Sequence, residues 1–186
     1  MAKLGCFKET SLVDFRLFYH RIADGRLIRG SLELFEKGEL NSDIFANFLD
    51  QGDLIGEESL QLLKVGLERF FEKDYGSCIH ILVPQLEDLI RKILPFLGLP
   101  TTVVLSGGII RQKQLDTVIN TPELHAALGE REVYYLDLVL NRRYGNRLRH
   151  RVAHGLLSFE DCSPKTAALL IHLLLVLSKY RVDKKD

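Results

Sequence analysis

Between Ala167 and Leu177 only His172 interrupts a run of apolar residues. The run is too short to span a membrane, which takes about 20 residues, so no membrane association is expected. Ser163-Pro164 just ahead of it is a strong helix start, a capping hydroxyl followed by proline at the first helical position. A helix that is apolar on almost every side has to be surrounded, by its own bundle or by a second subunit. This requirement points to an all-α fold. It predicts a helix from Ser163-Pro164 through about Tyr180, with His172 as a satisfied core histidine and residues 183–186 as a frayed tail.

Partners for that helix are legible upstream. Leu60, Leu63, Leu67, Phe70 and Phe71 recur at helical spacing. After a break at Lys73-Asp74, a second helix is expected from about Tyr75 to Leu97, with Ile79, Leu82, Val83, Leu86, Leu89, Ile90 and Leu94 on its apolar side. Pro84 lies inside it and should kink it. Glu87 and Arg91 are spaced for an ion pair on one face, and the sharper alternative holds Arg91 ready for phosphate. Glu130–Leu140 supplies a further amphipathic helix through Val133, Leu136 and Leu140. The sum is a bundle of about four main helices over residues 56–182.

Two parts stand outside this pattern. Residues 1–55 read as a helical extension packed on the bundle, in short pieces: Asp14–Ile22, Ser31–Lys37 closed by Gly38, and a helix capped by Ser42 that runs through Asp50. His20 there reads as a structural histidine. Val103–Leu105, Ser106-Gly107-Gly108 and Ile109-Ile110 look like a small β-hairpin insertion. Thr121-Pro122 opens a short helix, and His125 within it reads as a surface residue.

Acidic and basic residues balance at 25 each, so no whole-molecule field draws the chain to a polyanion. Attraction of that kind has to be local, and one stretch concentrates it. Asn141–Gly155 holds Arg142, Arg143, Arg147, Arg149 and Arg151, with His150 and His154 set among them. One account has these arginines solvating a surface or pairing with carboxylates, Asp137 and Glu132 being at hand. A metal site is disfavoured: Arg151 stands where zinc-protease helices place a glutamate, and no third ligand is near. The remaining account is metal-free phosphate chemistry. Guanidinium groups fork onto a phosphoryl group, while an imidazole takes a proton from a ribose 2′-hydroxyl or gives one to the 5′-oxygen. On a regular helix Arg149 and His154 fall about 140° apart, at about 100° per residue, whereas His150 and His154 share a face.

Arg149-His150-Arg151-Val152-Ala153-His154 resembles the R-x(4–6)-H motif of the HEPN superfamily. With Gly155 the ending looks closest to a branch marked R-N-x-x-x-H-G, which includes ER-membrane-associated RNA degradation proteins. The resemblance covers roughly Gly56–Tyr180 and includes Leu86–Arg91 and the apolar last helix. It implies a HEPN-like helical bundle that pairs as a homodimer around one cleft, and a metal-independent endoribonuclease leaving a 2′,3′-cyclic phosphate. Under it Arg149 holds the scissile phosphate, His154 acts as acid or base, and His150 fills the polar slot, where the branch usually has asparagine. Arg143, Arg147, Arg151 and Arg91 are then candidates for phosphate contact. RNA is the expected ligand, with no cofactor and no metal, and with room for a regulatory partner protein.

Leu156 stands where some toxin members carry a tyrosine, so a tyrosine-modification switch is not expected. A non-catalytic RNA- or nucleotide-binding module and a purely structural oligomerisation domain are the competing readings. Cys6, Cys78 and Cys162 are few and far apart, which fits a reducing compartment. With no signal-peptide core at the N-terminus, a cytoplasmic location is expected.

Overall fold

Capped, periodic segments become helices in the computed structural model, which describes residues 3–6, 41–50 and 54–183 with the single positions 30, 33, 37 and 38. The Asp14–Ile22 helix and His20 lie outside the described residues, as does most of 31–37, and so does the tail from residue 184. At the end of that second piece Lys37 N–H donates to the Glu33 carbonyl at 3.1 Å, and Gly38 follows at φ 73°.

Helix α1 is Ser42–Leu49, α2 is Glu57–Phe71 and α3 is Tyr75–Ile93. The cap of α1 is Asn41, whose side chain accepts from Ile44 N–H at 2.8 Å, so the cap falls one residue before the expected Ser42. Asp74 caps α3 by accepting from Ser77 N–H at 3.2 Å. Helix α3 continues through Pro84 and ends before the expected Leu97. Pro95 has no N–H to continue the ladder, and Leu94–Leu97 tighten into a 3-10 turn that Gly98 closes at φ 76°. Strands β2 (Thr102–Val104) and β3 (Ile110–Gln112) form the expected antiparallel hairpin, with Val103 opposite Arg111.

Beyond the hairpin come α4 (Leu115–Ile119), α5 (Pro122–Leu128), α6 (Glu130–Leu140), α7 (Leu148–Ala153) and α8 (Pro164–Leu177). Ser163 caps α8 as its sequence implied, accepting from Thr166 N–H at 3.2 Å. The chain then turns at Ser178 and leaves as a strand, where a helix through Tyr180 was expected. Strand β4 (Tyr180–Asp183) pairs antiparallel with β1 (Lys3–Cys6), with Leu4 opposite Val182. Asp183 is therefore part of a ladder rather than of a frayed tail.

The four main helices are α2, α3, α6 and α8, and α3 lies among the others. Its Ile79, Leu82, Leu86, Leu89, Ile90 and Ile93 are all fully buried. Helix α2 comes so close that a Cβ on Gly66 would sit 2.5 Å from Leu82 Cδ2. Of the two ways to surround α8, the structure uses the chain's own bundle: Leu170, Leu173, Leu174 and Leu177 are buried without a second subunit. His172 is buried with them and shares a 2.8 Å hydrogen bond with Tyr135 of α6. Removal from water pushes its imidazole down to about pKa 3, which keeps it neutral in the core. Among the described residues no helix is long and apolar enough to cross a membrane.

Candidate anion-binding cleft

The arginine run is held in place by the end of α6. Asp137 is buried, and its carboxylate accepts from Arg142 Nε and, at 3.0 Å, from Asn141 Nδ2. Its carbonyl takes the N–H groups of both Asn141 and Arg142 at 2.8 Å. Gly145 then passes so close to α6 that a Cβ there would lie 1.8 Å from the Leu138 carbonyl oxygen. Only glycine fits. Arg147 follows in the left-handed region at φ 52°, an uncommon conformation for a side chain of its size, and α7 begins at Leu148. Leu148 anchors α7 in the core, being 1% exposed.

Helix α7 is only six residues long. His154 is its C-cap and Gly155 follows at φ 62°. Leu156 N–H reaches the Arg151 carbonyl at 2.8 Å and Gly155 N–H reaches the Val152 carbonyl at 3.3 Å. This paired closure is a left-handed helix stop, a conformation glycine adopts without strain.

Folding in this way opens a cleft of about 360 Å³. It is lined by Arg142, Arg143, Arg147, Arg149 and His150 together with Asp116, Asn120, Asp137 and Asn141. Within that lining Asn141 donates to Asp116 at 3.2 Å. Arg143 and Arg147 have no carboxylate partner among the described residues, so the cleft keeps net positive charge.

The other candidate residues are placed differently. Arg149 lines the cleft but also donates through Nε to Glu87 of α3 at 2.9 Å. Glu87 is shared, because Arg91 Nη2 reaches its other oxygen at 3.0 Å, which is the ion pair expected from their spacing. Arg91 also donates to Asp88 at 3.3 Å and to the Lys113 carbonyl at 3.1 Å; it does not line the cleft. Arg151 points elsewhere, onto Asp161, whose carboxyl falls to about pKa 2. The Ser158 hydroxyl is the largest cause, followed by Ser158 N–H and the Arg151 guanidinium.

His150 and His154 share a face, as their spacing requires, with ring centres 4.3 Å apart. His150 lines the cleft; His154 does not and is exposed. Partial desolvation, then the charges of Arg147, His154, Arg149 and Arg143, hold the His150 imidazole below its ordinary pKa. A neutral imidazole at neutral pH is a proton acceptor.

Several parts of this site carry no signal in the sequence. Asp116 and Asn120 come from a short helix without periodicity, and Glu87 reaches Arg149 across 62 residues of chain. Asp137 was legible as a carboxylate near the run. Among the described residues no group of three or more His, Cys, Asp or Glu side chains could hold a metal ion. The arrangement suits a ligand that is anionic, is forked by guanidinium groups and offers a proton to His150. No protein-family model matches the sequence, and no solved structure matches the fold.

Proposed function

We propose that this chain binds RNA in the arginine cleft and cleaves it without a metal, as a homodimer of HEPN type. One observation carries the reading: Arg143 and Arg147 line the cleft with no carboxylate partner among the described residues, beside an imidazole held below its ordinary pKa. Guanidinium donors on the two non-bridging oxygens orient the phosphate and offset the negative charge that grows in the transition state. Neutral His150 takes the proton of the ribose 2′-hydroxyl. The 2′-oxygen then bonds to phosphorus, the bond from phosphorus to the 5′-oxygen breaks, and a protonated group returns a proton to that oxygen. The products are a 2′,3′-cyclic phosphate and a free 5′-hydroxyl.

The contact between the two histidine rings explains why a second copy belongs in this reading. In-line attack needs the proton acceptor and donor on opposite sides of the phosphorus. Rings with centres 4.3 Å apart are in mutual contact and leave no room for a phosphate between them. One chain therefore cannot supply both groups from this pair, whereas two clefts facing each other can.

The test is cleavage of a single-stranded RNA in EDTA, followed by assay for the cyclic phosphate. Wild type should cleave; Arg149→Ala, His150→Ala and His154→Ala proteins that stay folded should lose about 10²–10⁴ in rate. Cleavage that EDTA abolishes, or that all three variants retain, contradicts the reading.

A second reading is favoured by the Arg149–Glu87 contact, which gives Arg149 a structural use. In it the cleft binds RNA and does not cut. That version predicts salt-sensitive RNA binding with no product.

A further inference from the structure

Beside the cleft, two aromatic rings clasp one of its arginines. The Arg142 guanidinium lies 4.6 Å from the centre of the Tyr134 ring and 5.4 Å from that of Tyr144. It also donates through Nη1 to the Tyr144 hydroxyl and through Nε to Asp137. Tyr144 is nevertheless 71% exposed and Tyr134 48% exposed. Single exposed aromatic residues are ordinary on a protein surface. Tyr144 differs in being tethered: its hydroxyl accepts from Arg142 and the same guanidinium lies against its ring, while most of its surface faces water.

We infer that Tyr144 is a stacking platform for an unpaired nucleobase, so that the ligand of the cleft is single-stranded RNA and not a duplex. The inference rests on the proposed RNA-binding role of the cleft and narrows it. Tyr144 follows Arg143 directly in the chain, and Arg142 both lines the cleft and touches the ring. A nucleotide whose phosphate is held by Arg143 and Arg147 thus has its base within reach of that ring. Every base has a flat face, so stacking recognises a nucleic acid without reading its sequence. Bases in a duplex already stack on one another and offer the protein no such face. Because the ring is already ordered, stacking on it costs little further side-chain entropy.

The experiment uses the whole chain and two probes. One is a 2′-O-methyl oligonucleotide carrying 2-aminopurine, which cannot be cleaved and whose fluorescence falls when its base stacks. The other is inorganic polyphosphate, which has charge but no bases. Wild type should bind the single strand with quenching and bind its duplex at least about tenfold more weakly. Tyr144→Phe, which keeps the ring and loses only the hydroxyl tether, should keep the quenching and lose less affinity than the variants without a ring. Tyr144→Leu and Tyr144→Ala should lose the quenching and about tenfold or more in oligonucleotide affinity. All three should bind polyphosphate as wild type does.

Quenching retained in Tyr144→Ala, or equal affinity for the duplex, overturns the inference while leaving the cleft reading intact. Loss of polyphosphate binding in Tyr144→Phe also overturns it, by assigning the hydroxyl to the placement of Arg142. Failure of wild type to bind either probe removes the cleft reading itself.

Discussion

His172 in the core and His150 in the cleft are both held below the ordinary histidine pKa, for different reasons. Burial does most of it for His172, with a smaller push from the Lys179 charge, in a helix whose neighbours are almost all aliphatic and where Tyr135 shares a hydrogen bond with the ring. For His150 partial desolvation acts together with Arg147, Arg149 and Arg143. The first cause is permanent as long as the protein is folded. The second depends on what occupies the cleft, because a bound anion offsets the arginine charge. The same direction of shift thus marks a structural histidine in one place and a ligand-responsive one in the other. Neutrality alone does not identify a catalytic histidine; the source of the neutrality does.

The sharpest way to break the comparison is to displace the cleft while leaving the core alone. Gly145→Ala places a Cβ against the Leu138 carbonyl, which is backbone and cannot swing aside. Roughly 2–4 kcal/mol of stability should be lost, with cleft function going first. Thermal melting and anion titration check it, and an unchanged melting temperature would show that the loop is not pinned there.

Acid separates the two histidines next. The folded chain holds His172 at about pKa 3, while the unfolded chain takes up that proton near the ordinary 6.5. The unfolded state therefore binds more protons over this window. The His172 contribution is complete above about pH 6.5 and declines as the pH falls towards about 3, by at most about 1.4 kcal/mol per unit. In a Tyr135→Phe/His172→Leu protein the slope of stability against pH should flatten in denaturant titrations. His150→Ala should leave that slope nearly intact.

The left-handed Arg147 provides a smaller effect, visible in stability and absent from affinity when two replacements are compared. Arg147→Gly should be about 1 kcal/mol more stable than Arg147→Ala, because glycine accepts φ 52° without strain. Both should lose anion affinity equally. The smallest effect is at Asp161, outside the cleft. Its folded pKa of about 2 lies below the ordinary 3.8, so its contribution is present above 3.8 and lost as the pH falls through about 2. Asp161→Asn should shift stability only slightly in acid titrations, since the pair with Arg151 is partly exposed and screened by water.

Much of the bundle was legible before its coordinates. Helices α2, α3 and α8 announce themselves by apolar spacing and by Asp74, Ser163 and Pro164 at their starts. Helix α4 does not, because a segment as short as Leu115–Ile119 contains too little period to read. The β1–β4 pairing was equally silent, since its partners lie at opposite ends of the described chain. In the site, charge density pointed to Arg143, Arg147, Arg149 and His150. It could not say that Arg151 would turn to Asp161, or that Arg91 and Arg149 would share Glu87. Those outcomes depend on which helix packs where. The cleft takes Arg149 and His150 and leaves His154 outside.

On this reading a phosphate sits among Arg143, Arg147 and His150. An NMR titration of the His150 imidazole, with and without a saturating 2′-O-methyl single-stranded oligonucleotide, tests it most directly. The account predicts a His150 pKa below 6.5 in the free protein that rises when the oligonucleotide binds, while His172 does not move. A His150 pKa unchanged at saturation would place the phosphate elsewhere and contradict the account.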